Sequence, residues 1–216
     1  FVNTKQRRVP VSLDAPTFTL SHTAGFKGVL GGEYDFNLTE ASIRKRFWLG
    51  SWGKLDVTAR AGAQWNTFPL LNLPMANLSY ITQNNESFNL INNMEFLNDR
   101  YASLNLSYDM NGKLFNRLPL IKKLKWREMF RIRGLWGTLT DKNNPYKSNN
   151  PDLFLFPMRD GVPTSHVMSK TPYVEASVGI YNIFKLLHIE YVRRLTYTDI
   201  PGVKKGGIRF MILMIF

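Results

Sequence analysis

The most constraining feature of this chain is an alternation of apolar and polar residues that persists over unusually long stretches. Between residues 55 and 65 the odd positions are apolar: Leu55, Val57, Ala59, Ala61, Ala63 and Trp65. The intervening positions are polar or glycine: Asp56, Thr58, Arg60, Gly62 and Gln64. A period of two indicates a β-strand with one apolar and one polar face. The pattern recurs at 101–110, 173–180 and 187–197, so the sequence predicts a protein built from strands.

Eight strands are predicted, at about residues 15–25, 34–49, 54–66, 100–110, 125–138, 172–182, 187–197 and 205–216. Each is near or above the roughly 9–11 residues that a tilted membrane-spanning strand needs, whereas globular strands average about 5–6. The polar positions carry many charges, which a dry sandwich core could not hold but a water-filled or plugged lumen can. The predicted fold class is therefore all-β, an antiparallel transmembrane β-barrel.

The composition agrees with this prediction and excludes several alternatives. No apolar run approaches the roughly 18 residues of a membrane helix, and the absence of cysteine excludes disulfides and zinc–thiolate sites. The formal net charge is +12. Because the basic residues are spread along the alternating strands rather than clustered, we expect anionic lipid headgroups or acidic lumen groups as counter-charges, and no nucleic acid.

The connections alternate in length. Those at 50–53 and 182–186 are short, whereas 67–99 and 140–171 are long, as expected of short periplasmic turns and long external loops. The stretch 111–124 is an exception, a longer predicted periplasmic turn. A further strand at 86–96 is an alternative because its apolar residues alternate, but one extra strand would reverse the side of every earlier connection. We therefore predict that 67–99 is a single external loop able to fold into the lumen.

The C-terminus carries a pattern of its own. Counting back from the last residue, every second position is apolar: Phe216, Met214, Ile212 and Phe210. A terminal Phe that closes an alternating strand resembles the targeting signal read by the outer-membrane insertion machinery, although an ordinary hydrophobic strand would look similar. These four residues are the predicted membrane-assembly signal, and the insertion machinery is the predicted partner during assembly. No signal peptide is visible in the sequence, which starts at Phe1 rather than Met, so we expect residues upstream of this chain.

Several segments carry a family resemblance: 15–20 with Gly25, 68–80, 88–101 and, most specifically, Asn111 to Glu128. Together they are similar to a Bacteroidota outer-membrane family of unknown function, distantly similar to BamA-type surface-antigen barrels. Its members place a carboxypeptidase-regulatory-like domain before a large C-terminal barrel.

The resemblance implies that residues 1–216 are the C-terminal portion of one outer-membrane β-barrel domain. They would supply the last eight of about sixteen strands, with the earlier strands and a periplasmic domain upstream. The implied location is the bacterial outer membrane, in contact with its lipid and lipopolysaccharide. The sequence lacks the Val-Arg-Gly-Phe motif of BamA-type lumenal loops, so the resemblance does not extend to protein-insertase activity.

Charged residues at polar strand positions are the candidate lumen groups: Arg127, Arg131, Arg133, Glu175, Glu190 and Arg194. Arg127, Arg131 and Arg133 alternate on one predicted strand. They should project to one side of it and face Glu175, Glu190 or the 67–99 loop. A functional basic stripe is one interpretation. We favour a structural one, in which these pairs hold a plug loop or stagger the wall.

No catalytic or cofactor-binding pattern is recognised. His22, His166 and His188 lack metal-ligand spacing, with the first and last expected on the polar face, and there is no Gly-x-Ser-x-Gly motif. We therefore expect no enzyme activity, cofactor or metal. Five tryptophans lie near predicted strand ends, which suits membrane-interface anchoring: Trp48, Trp52, Trp65, Trp126 and Trp136.

The expected role is that of an integral outer-membrane barrel serving as a scaffold, assembly or transport-associated component that binds other outer-membrane or periplasmic proteins. A passive or gated pore is one alternative, and it differs in whether the 67–99 loop fills the lumen. A soluble β-sandwich binding module is the other.

Overall fold

The chain folds into a single large antiparallel sheet. The computed structural model describes residues 15–67 and 87–212, together with the backbone of residues 2–3 and 8–9. The sheet has eight strands: β1 Thr17–Gly25, β2 Phe36–Trp48, β3 Lys54–Gln64, β4 Arg100–Asp109, β5 Arg127–Thr138, β6 Tyr173–Ile183, β7 Leu187–Arg194 and β8 Gly206–Ile212.

Smaller elements lie outside the eight-stranded sheet. Two short antiparallel ladders pair Val2–Asn3 with Arg8–Val9 and Met158–Arg159 with Val162–Pro163. The described helical segments are α1, Pro119–Leu124, and the 3₁₀ turns Gly50–Trp52, Phe115–Arg117 and Asp141–Asn143. None of the described helices combines the length and the apolar composition needed to cross a bilayer.

Each strand pairs with its nearest neighbour in sequence, from β1 at one edge to β8 at the other. The predicted eight-stranded, all-β, antiparallel arrangement is thus confirmed. Within the described residues β1 and β8 each have a partner on one side only, so the sheet is open and barrel closure stays a prediction. The seventh strand ends at Arg194, three residues earlier than predicted. Met214 and Phe216 of the predicted assembly signal lie outside the described residues.

The sheet has two chemically different faces because alternate side chains point to opposite sides. One row of the strand register crosses six strands on the polar face: Arg44, Thr58, Asn105, Arg133, Glu175 and Arg194. The neighbouring row on the apolar face includes Ile43, Ala59 and Leu104. The alternation in the sequence therefore gives the sheet one charged face and one apolar face.

Burial is inverted relative to a water-soluble sheet. On the apolar face Leu20 is 78% exposed and Ile208 60% exposed, whereas on the polar face Glu175 retains only 2% exposure and Arg194 only 1%. The main buried apolar cluster lies on the polar side of the sheet, where residues of the connections pack against the wall. Its members are Phe88, Ile91, Phe96, Tyr101, Leu135, Met168 and Tyr173.

The connections lie alternately at two ends of the sheet. The segments 49–53, 110–126 and 184–186 share one end, called here the short-connection end. The segments 26–35, 139–172 and 195–205 share the opposite, long-connection end, as do the described ends of the connection between β3 and β4. Trp48, Trp52 and Trp126 lie towards the short-connection end, where Trp48 is in register with Lys54 on the polar face. Trp65 and Trp136 lie towards the other end, so indole rings occur near both ends of the sheet.

Two predictions about individual positions were wrong. His22 was expected on the polar face, but it pairs with Thr39 on the apolar face, where its Nδ1 lies 2.9 Å from the Thr39 hydroxyl. Tyr197 was placed on the apolar face, yet β7 ends before it and its ring packs 5.0 Å from that of Phe96. The alternative strand at 86–96 does not form in its described part, where one isolated bridge joins Phe96 and His166.

Candidate functional site

An irregular segment, residues 87–99, lies against the polar face of β5–β8 and is called the covering segment here. Phe88, Leu90, Phe96 and Leu97 in it are buried. Because irregular backbone cannot satisfy its own N–H and C=O groups in a ladder, it needs other hydrogen-bond partners when it is buried. Charged side chains of the strands supply several of those partners.

The Glu175 carboxylate on β6 is the main acceptor for the covering segment. The backbone N–H of Asn89 donates to it at 2.9 Å and that of Leu90 at 3.1 Å. The hydroxyl of Tyr173 donates to the same group at 3.0 Å. One buried carboxylate therefore replaces the backbone acceptors that a neighbouring strand would offer, and hydrogen bonds to a charged acceptor are the stronger kind.

Arg133 on β5 neutralises this carboxylate and reaches the covering segment as well. Its Nη1 lies 3.2 Å from Glu175 Oε1 and donates to the Ser87 carbonyl at 3.0 Å. Both side chains of the pair are almost fully buried. A buried charge is tolerated only when it is paired and hydrogen-bonded. Here β5 and β6 supply the pair, and the covering segment supplies further hydrogen bonds to both side chains.

A second ion pair holds the other half of the covering segment. Arg194 Nη2, at the end of β7, lies 2.6 Å from Glu95 Oε1, and Glu95 Oε2 accepts the backbone N–H of Asn92 at 2.9 Å. The guanidinium also lies 4.9 Å from the centroid of the Tyr173 ring. This cation–π contact adds to the attraction because the site excludes water.

Aromatic rings fill the space between the two ion pairs. The rings of Phe88 and Tyr173 meet edge to face at a centroid distance of 5.6 Å, and Phe96 lies 5.9 Å from the same tyrosine. Edge-to-face and tilted arrangements are favoured by the ring quadrupoles. Tyr173 is therefore a shared contact for both ends of the covering segment.

A neighbouring pair stabilises the wall itself. Arg131 Nη1 lies 3.2 Å from Glu190 Oε2, and the same carboxylate accepts a short hydrogen bond from the Ser177 hydroxyl. His188 Nε2 is 3.8 Å away from it. These groups come from β5, β6 and β7, so they tie adjacent strands together, while Arg209 on β8 donates to the Asn89 carbonyl of the covering segment.

The covering segment leaves the polar face through a close approach to β5. The Asp99 carboxylate accepts the Thr140 backbone N–H at 3.1 Å and the Asn143 amide at 3.0 Å. A Cβ added at Gly137 would lie 2.3 Å from Asn98 Cγ. Because Asn98 is fully buried, glycine at position 137 is what lets the segment lie this close.

The structure brings together only some of the six predicted lumen charges. Arg133, Glu175 and Arg194 contact the covering segment, and Arg131 and Glu190 form the neighbouring pair. Arg127 lies on the same face but is exposed, with its guanidinium 5.9 Å from the Tyr181 ring centroid. It stands at the beginning of β5, beyond the reach of the covering segment.

Two functional positions were missed from the sequence. Glu95 is the counter-ion of Arg194, but its neighbours Met94 and Phe96 drew attention to an apolar alternation instead. Arg209 occupies a polar position of the last strand, between Ile208 and Phe210. The alternation that defined the assembly signal places it on the polar face, but it was not chosen as a candidate lumen group. As for other chemistry, across residues 15–67 and 87–212 no three His, Asp or Glu side chains converge as a metal site.

Residues 1–152 match a family described as "Family of unknown function (DUF5686) C-terminal domain". The match covers more than half of the 216 residues, and it confirms the part of the resemblance that concerned a family of unknown function. No curated protein and no solved structure matches the chain. What the polar face does must therefore be argued from its geometry.

Proposed function

The chain belongs to the DUF5686 C-terminal domain family, and on that premise we propose that it forms the C-terminal portion of an outer-membrane β-barrel acting as a scaffold or assembly component. The supporting observation is the inverted burial of the sheet. Its apolar face carries large exposed side chains, among them Phe18, Leu20, Ile132, Val178, Ile208, Phe210 and Ile212. A contiguous apolar surface of this kind calls for a lipid or protein cover.

Lipid is the cover that fits best. The exposed apolar residues alternate with buried charged ones along strands of membrane-spanning length, and tryptophans lie towards both ends. Membrane barrels combine an outward apolar band, aromatic girdles and a polar interior in this way. The location we propose is the bacterial outer membrane, with lipid and lipopolysaccharide around the apolar face.

A soluble β-sandwich fits poorly. Such a fold buries the apolar face of one sheet against a second sheet. In the part of the chain that is described, no second sheet packs on the apolar face, and the covered face is the charged one. The sandwich therefore predicts the opposite distribution of exposed residues.

Further strands are part of the proposal. Open edges offer unpaired N–H and C=O groups, and a closed barrel removes them. We propose that earlier strands of the full-length protein pair with β1 and β8, giving about sixteen in all. A periplasmic carboxypeptidase-regulatory-like domain, an origin in Bacteroidota and a distant relation to BamA-type barrels belong to the same proposal, and they rest on the sequence resemblance.

The covering segment favours a scaffold over an open pore. It is fixed on the interior face by Arg133, Glu175 and Arg194, each of which would lose hydrogen bonds to the segment if the segment left. An occupied interior leaves binding of outer-membrane or periplasmic proteins as the role of the loops and of the remaining domain. The pore is the second candidate, favoured only if this segment moves.

Two measurements on the full-length protein test this proposal. We expect heat-modifiable migration on gels, as for a folded barrel, and no large stable conductance steps in planar bilayers. Deleting residues 88–98 and bridging the ends with glycines should create such steps while heat-modifiable migration persists. Large steps from the unaltered protein would favour the pore, and solubility of the full-length protein without detergent would overturn both barrel proposals.

The assembly signal has a separate test. Replacing Phe216 with Ala should reduce the amount of heat-modifiable protein in outer membranes because the final residue is proposed to be read by the insertion machinery. Phe184→Ala is the matched control, since Phe184 is an exposed phenylalanine in a short connection. Equal amounts from both variants would remove Phe210, Ile212, Met214 and Phe216 from this role.

A further inference from the structure

The connection between β4 and β5, residues 110–126, carries an unusual concentration of positive charge. Its basic residues are Lys113, Arg117, Lys122, Lys123 and Lys125, and it contains no acidic residue. We call it the basic turn. It lies at the short-connection end, which the proposed barrel places in the periplasm, where the leaflet is phospholipid.

The basic turn also exposes apolar side chains that nothing described covers. Leu120 in α1 is 81% exposed, and Leu114, Leu118 and Leu124 are exposed as well. With 3.6 residues per helical turn, Leu120 and Leu124 fall on one side of α1, and Lys122 lies on the opposite side. Lys123 lies about 60° from Leu120 around the helix axis. The helix therefore places its two exposed leucines together, with Lys122 behind them and Lys123 at their border.

The basic turn is held firmly against the sheet. The Leu114 backbone N–H donates to Glu128 at 2.5 Å, and the Asn182 amide donates to the Lys125 carbonyl at 2.7 Å. Lys113 Nζ lies 3.7 Å from the centroid of the Trp52 ring. These contacts fix the turn on the sheet and place Lys113 next to the indole of Trp52.

We propose that the basic turn binds the headgroups of anionic phospholipid, with the α1 leucines at the boundary of the acyl chains. The inference rests on the proposed membrane location. Charge complementarity and continuity with the apolar face through Trp52 and Trp126 favour a lipid surface over an acidic protein. Aromatic rings mark the depth of the headgroup region, and basic residues beside such a surface strengthen attachment about fivefold each.

The first test measures lipid selectivity. The full-length protein is reconstituted in phosphatidylcholine bilayers, and the association of spin-labelled phosphatidylglycerol relative to spin-labelled phosphatidylcholine is measured. The test variant is Lys122→Gln/Lys123→Gln/Lys125→Gln. Its control, Lys170→Gln/Lys204→Gln/Lys205→Gln, makes the same change in charge at exposed positions of the long-connection end.

We expect the original protein to prefer phosphatidylglycerol, with the preference weakening as salt rises. The test variant should lose at least about threefold of that preference, and the control should retain it. Equal losses in both variants would mean diffuse attraction to net charge and would overturn the proposal. Unchanged selectivity with loss of a co-purifying acidic protein would assign the turn to a protein partner instead.

A depth measurement tests the leucines independently. Because this chain has no cysteine, Leu120→Cys in a full-length background without other cysteines accepts a single nitroxide. We expect that label in the headgroup region of the bilayer, protected from a water-soluble relaxation agent, and a label at position 204 fully accessible. An equally accessible label at 120 would overturn the proposal. Failure of the protein to enter bilayers would overturn the proposed function itself, whereas insertion without lipid selectivity overturns only this inference.

Discussion

The two faces of the sheet differ in a way that residue polarity alone would not suggest. On β5–β8 the charged face is covered by residues 87–99 and by aromatic rings, whereas the apolar face is open. In a one-sided antiparallel sheet of a soluble protein, the apolar face is covered and the polar one is wet. Alternation therefore defines two faces of a sheet but not which of them is covered, because that depends on the contacts available to each face.

The largest effect is expected on the charged face. Glu175→Gln leaves the Arg133 guanidinium buried without its counter-charge and weakens the acceptor for two backbone N–H groups. Breaking a buried pair in this way costs about 3–5 kcal/mol. The measurement is the free energy of unfolding of the full-length protein in detergent micelles by urea titration, with proteolysis near residue 88 as a second readout.

A double variant separates the effect of an unpaired buried charge from the effect of the lost backbone acceptor. Arg133→Met/Glu175→Met removes both charges, so it should recover part of the loss, while the amides of Asn89 and Leu90 still lack their acceptor. A loss below about 1 kcal/mol in Glu175→Gln, which is typical of an exposed pair, would show that the covering segment is not held by this carboxylate.

The apolar face should respond to charge according to depth. Leu104 lies in the middle of β4, and Leu104→Arg should cost about 2–4 kcal/mol if the bilayer midplane surrounds it. Leu55 is near the short-connection end, and Leu55→Arg should cost only about 0–1 kcal/mol. Unfolding titrations in lipid vesicles measure both variants, and equal costs at the two depths would contradict lipid facing.

A smaller effect tests the fit between the covering segment and the wall. Gly137→Ala places a Cβ against the buried Asn98 side chain, and overpacking of this kind costs about 1–3 kcal/mol. Gly207→Ala is the control because nothing lies within 4 Å of its added Cβ. Greater accessibility of the covering segment to protease in the first variant alone is the expected result. No difference between the two would indicate that the segment does not lie this close.

The smallest effect is expected outside both faces. Lys147 and Asp141 form an exposed pair at the long-connection end, with Nζ and Oδ1 3.0 Å apart. Asp141→Asn should change the free energy of unfolding by less than about 1 kcal/mol because solvent screens such pairs. A loss as large as that of Glu175→Gln would remove the distinction between covered and open charges.

Strand positions could be predicted from the sequence because alternation is local and each strand pairs with its neighbour. A loop at 67–99 able to fold onto the polar side was predicted as well. The contacts that hold residues 87–99 were not, since their apolar residues alternate like a strand although they pack on Tyr173. Met94 has a φ of 58°, a left-handed conformation that interrupts any strand there. Arg131 and Arg133 were predicted to face acidic groups from their spacing alone. The pairing of Arg194 with Glu95 has no local signature, because 99 residues separate the two.

That separation has a consequence for the order of assembly. Each strand of the sheet pairs with its neighbour in sequence, but Asn89 has its partners Glu175 and Arg209 86 and 120 residues further along. A sheet that stops at β5 offers the segment Arg133, Leu135 and the close approach at Gly137. It lacks Glu175, Arg194 and Arg209, so the full set of hydrogen bonds requires the last three strands. Residues 87–99 therefore complete their hydrogen bonds only when the final strands are in place, and an incomplete sheet leaves the segment only partly bound to the polar face.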